Sequence, residues 1–515
     1  MKKFWSSNGI IVIGYLTNSV LQVTAATTMG TATNELVRVN QRMFLRDMCL
    51  VLTLWAISLI LGYFLQIFQE QIIQRMAARM RSDVARGILG MNAKQFHNYS
   101  YGEYEALLQS DITFLENNGF KSTYSMVRFM GNCGFSLIAL CTYSWMLILV
   151  AGMVSVFMVL LPRVFTRYIR EGGKLVSGGN AQLTRRVEEA IGGYNNIRAF
   201  NAVNFFRKLI DRGSQSIQNA SVESVKRQAR SGVLLSFTNI IGQLLLIGAT
   251  GLLVLSGKLS VGSVVSVSEL SSKIFDSLGY VNRYRININS TESIINKIES
   301  ISKQLCPVIL PAVAFESIEF TDVSFTYSGN ERPVFSHVSF KLKKHNVLQI
   351  LGASGVGKTT LLKLITGELQ PTSGEILLNG VNINRMSDEE RSAIIQLVPQ
   401  EGRIFEASVI ENIVLDRPTD LNKVSKIINI FNIPHGNPLN FSGGEKQRIK
   451  LARALVDPQK LTLIDEGLAQ IDLQSAKQLL LTMTSNYPIS LIIISHRGAE
   501  LDDMTHDVLN LEHYI

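Results

Sequence analysis

Gly352-Ala353-Ser354-Gly355-Val356-Gly357-Lys358-Thr359-Thr360 is the stretch whose reading decides the fold. The apolar run Val347–Leu351 precedes it and reads as a buried strand, and Leu361–Ile365 follows as the start of a helix. Strand, glycine-rich loop and helix form the context that the pattern G-x-x-x-x-G-K-[ST] requires. The physics is anion binding. Gly355 and Gly357 let the backbone curl so that successive N–H groups face a phosphate. The helix N-terminus adds partial positive charge. Lys358 can reach the terminal phosphates, and the Thr359 hydroxyl can ligate Mg²⁺. Taken alone the pattern also fits an ordinary glycine turn, so the residues around it must decide.

At 515 residues the chain is too long for one domain. Charged residues are 18%, below the roughly 25% of an average soluble protein, and long apolar runs accompany them. That balance points to a membrane. The net charge is +9, but no basic segment carries interleaved aromatics for base stacking, so nucleic acid is not an expected partner. The excess is assigned to cytoplasmic loops. The four cysteines, Cys49, Cys133, Cys141 and Cys306, show no metal-ligand spacing and, with three of them in apolar segments, read as buried free thiols.

Six segments upstream have the length of a bilayer crossing, at about 9–30, 48–69, 124–143, 145–167, 233–255 and 260–283. In the first, Lys2 and Lys3 ahead and Ala25-Ala26 behind also fit a signal peptide, but Asn18, Ser19 and Gln22 interrupt the apolar core such a peptide needs. The long loops 70–123 and 168–232 carry most of the basic residues. This places them, with both termini, in the cytoplasm of a cell-membrane protein. Arg38, Arg42 and Arg46 in the first outer loop run against that orientation. The amphipathic pattern continues through Gln66–Leu89 without a breaker, so spans two to five are expected to extend as helices beyond the bilayer. The last span holds Glu269, Lys273 and Asp276. Glu269 and Lys273 are four apart and share a helix face. They read either as lining a water-filled translocation path or as a structural ion pair.

Pro307 and Pro311 mark a change of character, which divides the chain into 1–305 and 306–515. Period-two segments, Ser317–Phe325 and Val334–Leu342, lead into the phosphate loop and define an α/β domain. Tyr327 can stack on a base or fill a turn. Gln400 ends a strand, where its amide can touch Mg²⁺ or water. Phe441-Ser442-Gly443-Gly444-Glu445 opens a second glycine-rich helix start, which suits an anion but also fits a plain capping box. Leu461–Asp465 is an apolar strand ending in the carboxylates Asp465 and Glu466. Asp465 can hold Mg²⁺ through water, and Glu466 can orient or deprotonate an attacking water. Asp472 lies just beyond. His496 follows another buried strand and can donate to a γ-phosphate. Each of these taken singly also fits a structural role.

Their order and spacing resemble the nucleotide-binding domain of ATP-binding cassette (ABC) transporters, over essentially all of 315–500. The first half is similar to the six-span domain of type IV ABC exporters. There Phe96–Asp111, with Tyr101-Gly102-Glu103, resembles the first coupling-helix region, and Ile197-Arg198-Ala199-Phe200-Asn201 the second. The resemblance implies an all-α six-helix membrane domain joined to an α/β P-loop NTPase domain. It implies ATP and Mg²⁺, with nucleotide held by Tyr327, by Gly352, Ala353, Ser354, Gly355, Val356, Gly357, Lys358, Thr359 and Thr360, and by Gln400. Thr359, Gln400 and Asp465 would serve the metal, and Glu466 and His496 the hydrolysis. Ser442, Gly443, Gly444 and Glu445 would complete the site of a second chain, with Asp472 between the subunits. One membrane domain and one cassette make a half-transporter, expected as a homodimer or as a heterodimer with a second half-transporter.

Three departures stand out. Phe441 and Glu445 occupy positions where Leu and Gln are commoner. Ile433-Pro434-His435-Gly436-Asn437-Pro438 replaces an acidic, glycine-bearing segment that is thought to meet the coupling helices. The chain also ends soon after His496, with no peptidase domain or regulatory tail expected. The FSGGEKQR form and compact cassette look like those of exporters of peptides or bacteriocins. A multidrug or lipid exporter, and a membrane-tethered ATPase in signalling or immunity, are the alternatives.

Overall fold

The structure is a computed structural model and describes residues 5–96, 98–304, 310–353, 355–400, 402–465, 473–494 and 507–514. Contacts divide it into two compact units, Met1–Arg86 with Ser100–Lys303, and Gly87–Tyr99 with Gln304–Ile515.

The first unit is helical. Trp5–Val37 turns at Val39 into Gln41–Leu89, a helix of 49 residues. At 1.5 Å per residue that helix is about 74 Å long, more than twice the roughly 30 Å hydrocarbon core. The unbroken pattern through Gln66–Leu89 thus becomes a helix that continues past a bilayer, as do Trp145–Gly192 and Val203–Leu255. The chain from 101 to 141 is helical throughout, with wider π turns at Leu107–Asp111 and Leu115–Phe120. It stops at a turn at 142–144, two residues short of the expected end at 143, because Ser144 caps the next helix by accepting from the Met146 amide at 3.3 Å. The sixth long helix is Gly262–Ser290.

Among the described residues, three helices are long and apolar enough to cross a membrane by composition: Ser7–Val37, Gln41–Leu89 and Val203–Leu255. Cys49 and Cys141, expected as buried thiols, are exposed on the helices that carry them, where an apolar side chain meets lipid rather than a core. Trp145–Met158 is apolar over a shorter length. The expected spans at 124–143 and 260–283 also form helices, but more polar ones. Their Ser136, Ser266, Ser271 and Ser277 are buried, while Leu59, Phe64, Leu149, Phe157, Leu244 and Leu252 lie exposed on their neighbours. Small and polar residues inside with large apolar residues outside is the arrangement of helices packed in lipid. Backbones approach closely where the first helix meets the sixth. A Cβ on Gly262 would lie 1.9 Å from the Gly30 carbonyl oxygen.

The second unit holds two sheets. An antiparallel sheet has the order β2-β1-β4-β5, from β1 (Ser317–Phe325), β2 (Phe335–Lys343), β4 (Ser373–Leu378) and β5 (Val381–Asn382). A parallel sheet has the order β6-β7-β8-β3-β9, from β3 (Val347–Leu351), β6 (Ile395–Val398), β7 (Leu461–Asp465), β8 (Ser490–Ile494) and β9 (Asp507–Asn510). One apolar core, with Phe320, Phe335, Ile350, Leu361 and Leu364, joins the two sheets to the helix Lys358–Ile365. A second, with Ile427, Phe431, Ile449, Leu451 and Leu455, packs helices on the other side of the parallel sheet. The short helix Ala93–Phe96 belongs to this unit, where Asn92 lines a cavity of about 480 Å³ with Thr366, Asp388, Arg391 and Ile395.

Candidate functional site

The loop 352–360 leaves the carboxyl end of β3 and closes onto the helix Lys358–Ile365. Gly352, Gly355 and Gly357 take φ of 147°, 86° and 106°. These left-handed backbones curl the loop in a way that side chains resist. Gly357, the residue that caps the helix, is also closely walled in. A Cβ there would lie 2.6 Å from Val334 Cγ1 and 3.1 Å from Phe335 Cδ1. Lys358 is buried, and its ammonium donates to the Gly352 and Ala353 carbonyls at 2.6 and 3.0 Å. The cation is therefore folded over the loop that curls beneath it. Amides at a helix start, one ammonium and hydroxyls together suit a polyphosphate.

Register places the acid. Asp465 of β7 pairs with Ile494 of β8, and Ile494 with Ile350 of β3. Asp465 thus stands on the same sheet edge as the phosphate loop, two strand spacings or about 10 Å away. Val398 pairs with Ile464, so Gln400, two residues on and exposed, leaves from that edge too. Ligands of open parallel sheets bind beyond the carboxyl ends of the strands. Thr359 is exposed and Asp465 half-buried, and hydroxyl and carboxylate oxygens suit a hard cation such as Mg²⁺.

Tyr327 stands beside the loop. Its hydroxyl lies 3.1 Å from Thr360 Oγ1, and its ring meets Phe325 edge-on at 4.9 Å. One sequence-remote contact carried no signal in advance: Glu512 accepts from the Ala353 amide at 2.8 Å.

The second glycine-rich turn starts the helix Gly443–Ala452. Ser442 is its N-cap. Its hydroxyl accepts from the Glu445 amide at 3.4 Å, while Glu445 Oε2 accepts from the Ser442 amide at 2.7 Å and its hydroxyl at 2.8 Å. The Ser442 amide, then its hydroxyl, hold the Glu445 carboxyl below the usual carboxylate range. Ser442 and Gly443 are exposed, so the capped end stays open to a ligand. The capping-box reading is what the structure shows, and the exposed Ser442 and Gly443 leave room for the anion-site reading beside it. Ser354, Glu466, Asp472 and His496 lie outside the described residues.

In the membrane unit Lys273 donates to the Gln22 carbonyl at 2.8 Å and to Glu269 Oε1 at 3.3 Å, and sits 5.5 Å from the Trp55 ring centroid.

A glycine-rich loop on a parallel sheet, an antiparallel sheet beside it, a second glycine-rich helix start and a six-helix membrane unit define an ATP-binding cassette protein of the membrane. This chain belongs to the ABC transporter family: residues 3–278 match the ABC transporter transmembrane region, and residues 335–469 match the family's ABC transporter domain. It is 28% identical over 362 residues to a mycobactin import ATP-binding/permease protein of Mycolicibacterium thermoresistibile, covering 65% of this chain and 61% of that protein. It is 26% identical over 375 residues to a lactococcin-A transport/processing ATP-binding protein of Lactococcus lactis subsp. lactis, covering 67% of this chain and 51% of the relative. The chain thus spans between half and two thirds of the length of these relatives. Among solved structures it is similar to a bacterial Atm1-family ABC exporter with ATP bound, with a TM-score of 0.77 and 19% identity over 97% of this chain and 93% of that one. That likeness is one of fold.

Proposed function

We propose that this chain is one half of an ATP-driven transporter that exports a peptide or amphipathic compound across the cell membrane. The observation that carries this is the curled phosphate loop with Lys358 folded over it, on the same sheet edge as Asp465. Bound ATP with Mg²⁺ supplies the phosphoryl chemistry. Lys358 and the loop amides would hold phosphate oxygens, Thr359, Gln400 and Asp465 would hold the metal, and Glu466 would orient the attacking water. Tyr327 flanks the base, and His496 donates to the terminal phosphate.

Ser442–Glu445 completes the site of a second copy in a head-to-tail dimer, with Asp472 at the boundary. The exposed second helix start supports this, since one nucleotide held by one chain needs only one such start. The short helix Tyr194–Ala199 supports it too. None of its residues is buried, and Phe200 at its end is 83% exposed, a tip without cover in the single chain. A heterodimer meets the same geometry.

Closure of the cassettes drives the helices only as far as the nucleotide binds the two states with different affinity. The experiment is ATP turnover in lipid nanodiscs. Glu466→Gln is expected to retain ATP binding and stop hydrolysis, and Lys358→Ala to lose binding. Hydrolysis at the wild-type rate by Glu466→Gln would refute the assignment. Import is the second reading, favoured by the mycobactin import relative. Uptake of substrate into inside-out vesicles supports export, and uptake into right-side-out vesicles supports import. Turnover with no movement in either would leave the signalling or immunity reading.

A further inference from the structure

Among the described residues of the six-helix unit, Asp276 is a carboxylate at membrane depth that no cation pairs. Glu269, Lys273 and Asp276 lie on one face of the sixth helix. Lys273, with its side chain only 14% exposed, is tied to Glu269, the Gln22 carbonyl and the Trp55 ring. The Gln22 amide in turn donates to Ser58, and Ser58 to Asn18. This network joins the first, second and sixth helices and gives Lys273 an ion-pair partner in Glu269.

Asp276 is different. It is exposed, and among the described residues no cation lies within ion-pairing distance of it. Two neutral donors hold it instead. Asn239 Nδ2 donates to Oδ1 at 2.8 Å, and the Ser272 hydroxyl donates to Oδ2 at 2.9 Å. Gln243 donates to Asn239 Oδ1 at 2.9 Å and so fixes which way the Asn239 amide points. The carboxylate is oriented from both sides and open on a third. It lies fourteen residues inside the helix that starts at Gly262, about 21 Å from the outer end and well within the hydrocarbon depth. An acid at that depth is costly unless it meets a cation or water.

One turn further on, Tyr280 is 44% exposed and stacks on Phe129 at 4.5 Å with 22° between the planes; Tyr284 continues the stack. Arg128 lies 4.9 Å from the Phe129 centroid, so this stack already receives a cation on one ring. An oriented carboxylate beside a half-open aromatic stack is chemistry for an ammonium group on an apolar body.

We propose that Asp276 and Tyr280 form the recognition point for an amphipathic cation, with Asp276 pairing its ammonium group and Tyr280 its apolar or aromatic body. This rests on the transport reading above and names the substrate class for it. Asn239 and Ser272 are positioning residues.

The test is binding of dansylcadaverine, which carries a primary ammonium, against its neutral N-acetyl derivative, read by dansyl fluorescence on the full chain in detergent without nucleotide. The wild type is expected to bind the ammonium at least about tenfold tighter than the acetylated compound. Asp276→Asn, nearly isosteric, should remove that preference and leave binding of the acetylated compound unchanged. Asp276→Glu should keep the preference, which guards against a folding defect in the first variant. Tyr280→Ala should weaken both compounds together. Equal affinity of the wild type for both, or an intact preference in Asp276→Asn, overturns the proposal. ATP turnover, measured on the same samples, separates this outcome from failure of the transporter reading.

Discussion

Gly357 shows how much one residue can fix. Its φ of 106° and the 2.6 Å approach of Val334 forbid a side chain on the turn that starts the phosphate-loop helix. Gly357→Ala is expected to cost about 1–3 kcal/mol of cassette stability through backbone strain, with the contact to Val334 adding to it. Loss of nucleotide affinity should follow, because the loop amides no longer converge. Thermal unfolding and nucleotide titration of the same variant check both. Such residues are legible in sequence because their chemistry is local: nine consecutive positions specify the turn, the cation and the hydroxyl. Tyr327 was only half legible. Its place beside Thr360, 33 residues away, depends on how β1 packs beside the helix that follows β3.

At the scale of elements, the helices were written in uninterrupted pattern, and the boundaries were set by caps such as Ser144 and by turns such as Gly257 with its φ of 71°. What the pattern did not reveal is which helices touch. The first and sixth meet backbone to backbone at Gly30 and Gly262, and Asn34 bridges them by accepting from the Gly262 amide at 2.7 Å and donating to Ser260 at 2.9 Å. Gly262→Ala must push those backbones apart and is expected to cost about 1–3 kcal/mol. Gly9→Ala serves as the control, since a Cβ there meets nothing within 4 Å. A lower unfolding temperature in detergent for the first variant and no change for the second is the expected result. Equal behaviour of the two would mean that this contact does not hold the helices together.

At the scale of the whole molecule, the proposal of sites shared between copies rests on two glycine-rich helix starts on one chain, at Lys358 and at Gly443. The prediction is complementation. Lys358→Ala and Ser442→Ala are each expected to be inactive alone. Co-assembled, they form mixed dimers in which both defects fall in one site and the other site is intact. Turnover above that of either variant alone is the expected outcome. No recovery, with mixed dimers demonstrated by differential tagging, would refute the shared-site arrangement.

Sequence by itself determined the glycine-rich loop at 352–360, the capped turn at Ser442, the strand ending in Asp465 and the membrane-length helices. Each of these is enforced by neighbours along the chain: steric limits on φ, hydrogen bonds three or four residues apart, and runs of apolar side chains. Tertiary structure alone decided that Asp465 shares an edge with the phosphate loop, that Glu512 reaches the Ala353 amide across 159 residues, and that Lys273 meets a carboxylate while Asp276 meets only neutral donors among the described residues. Those outcomes depend on strand order and helix packing between distant segments, where no local rule selects the partner and only the summed burial of the folded chain does.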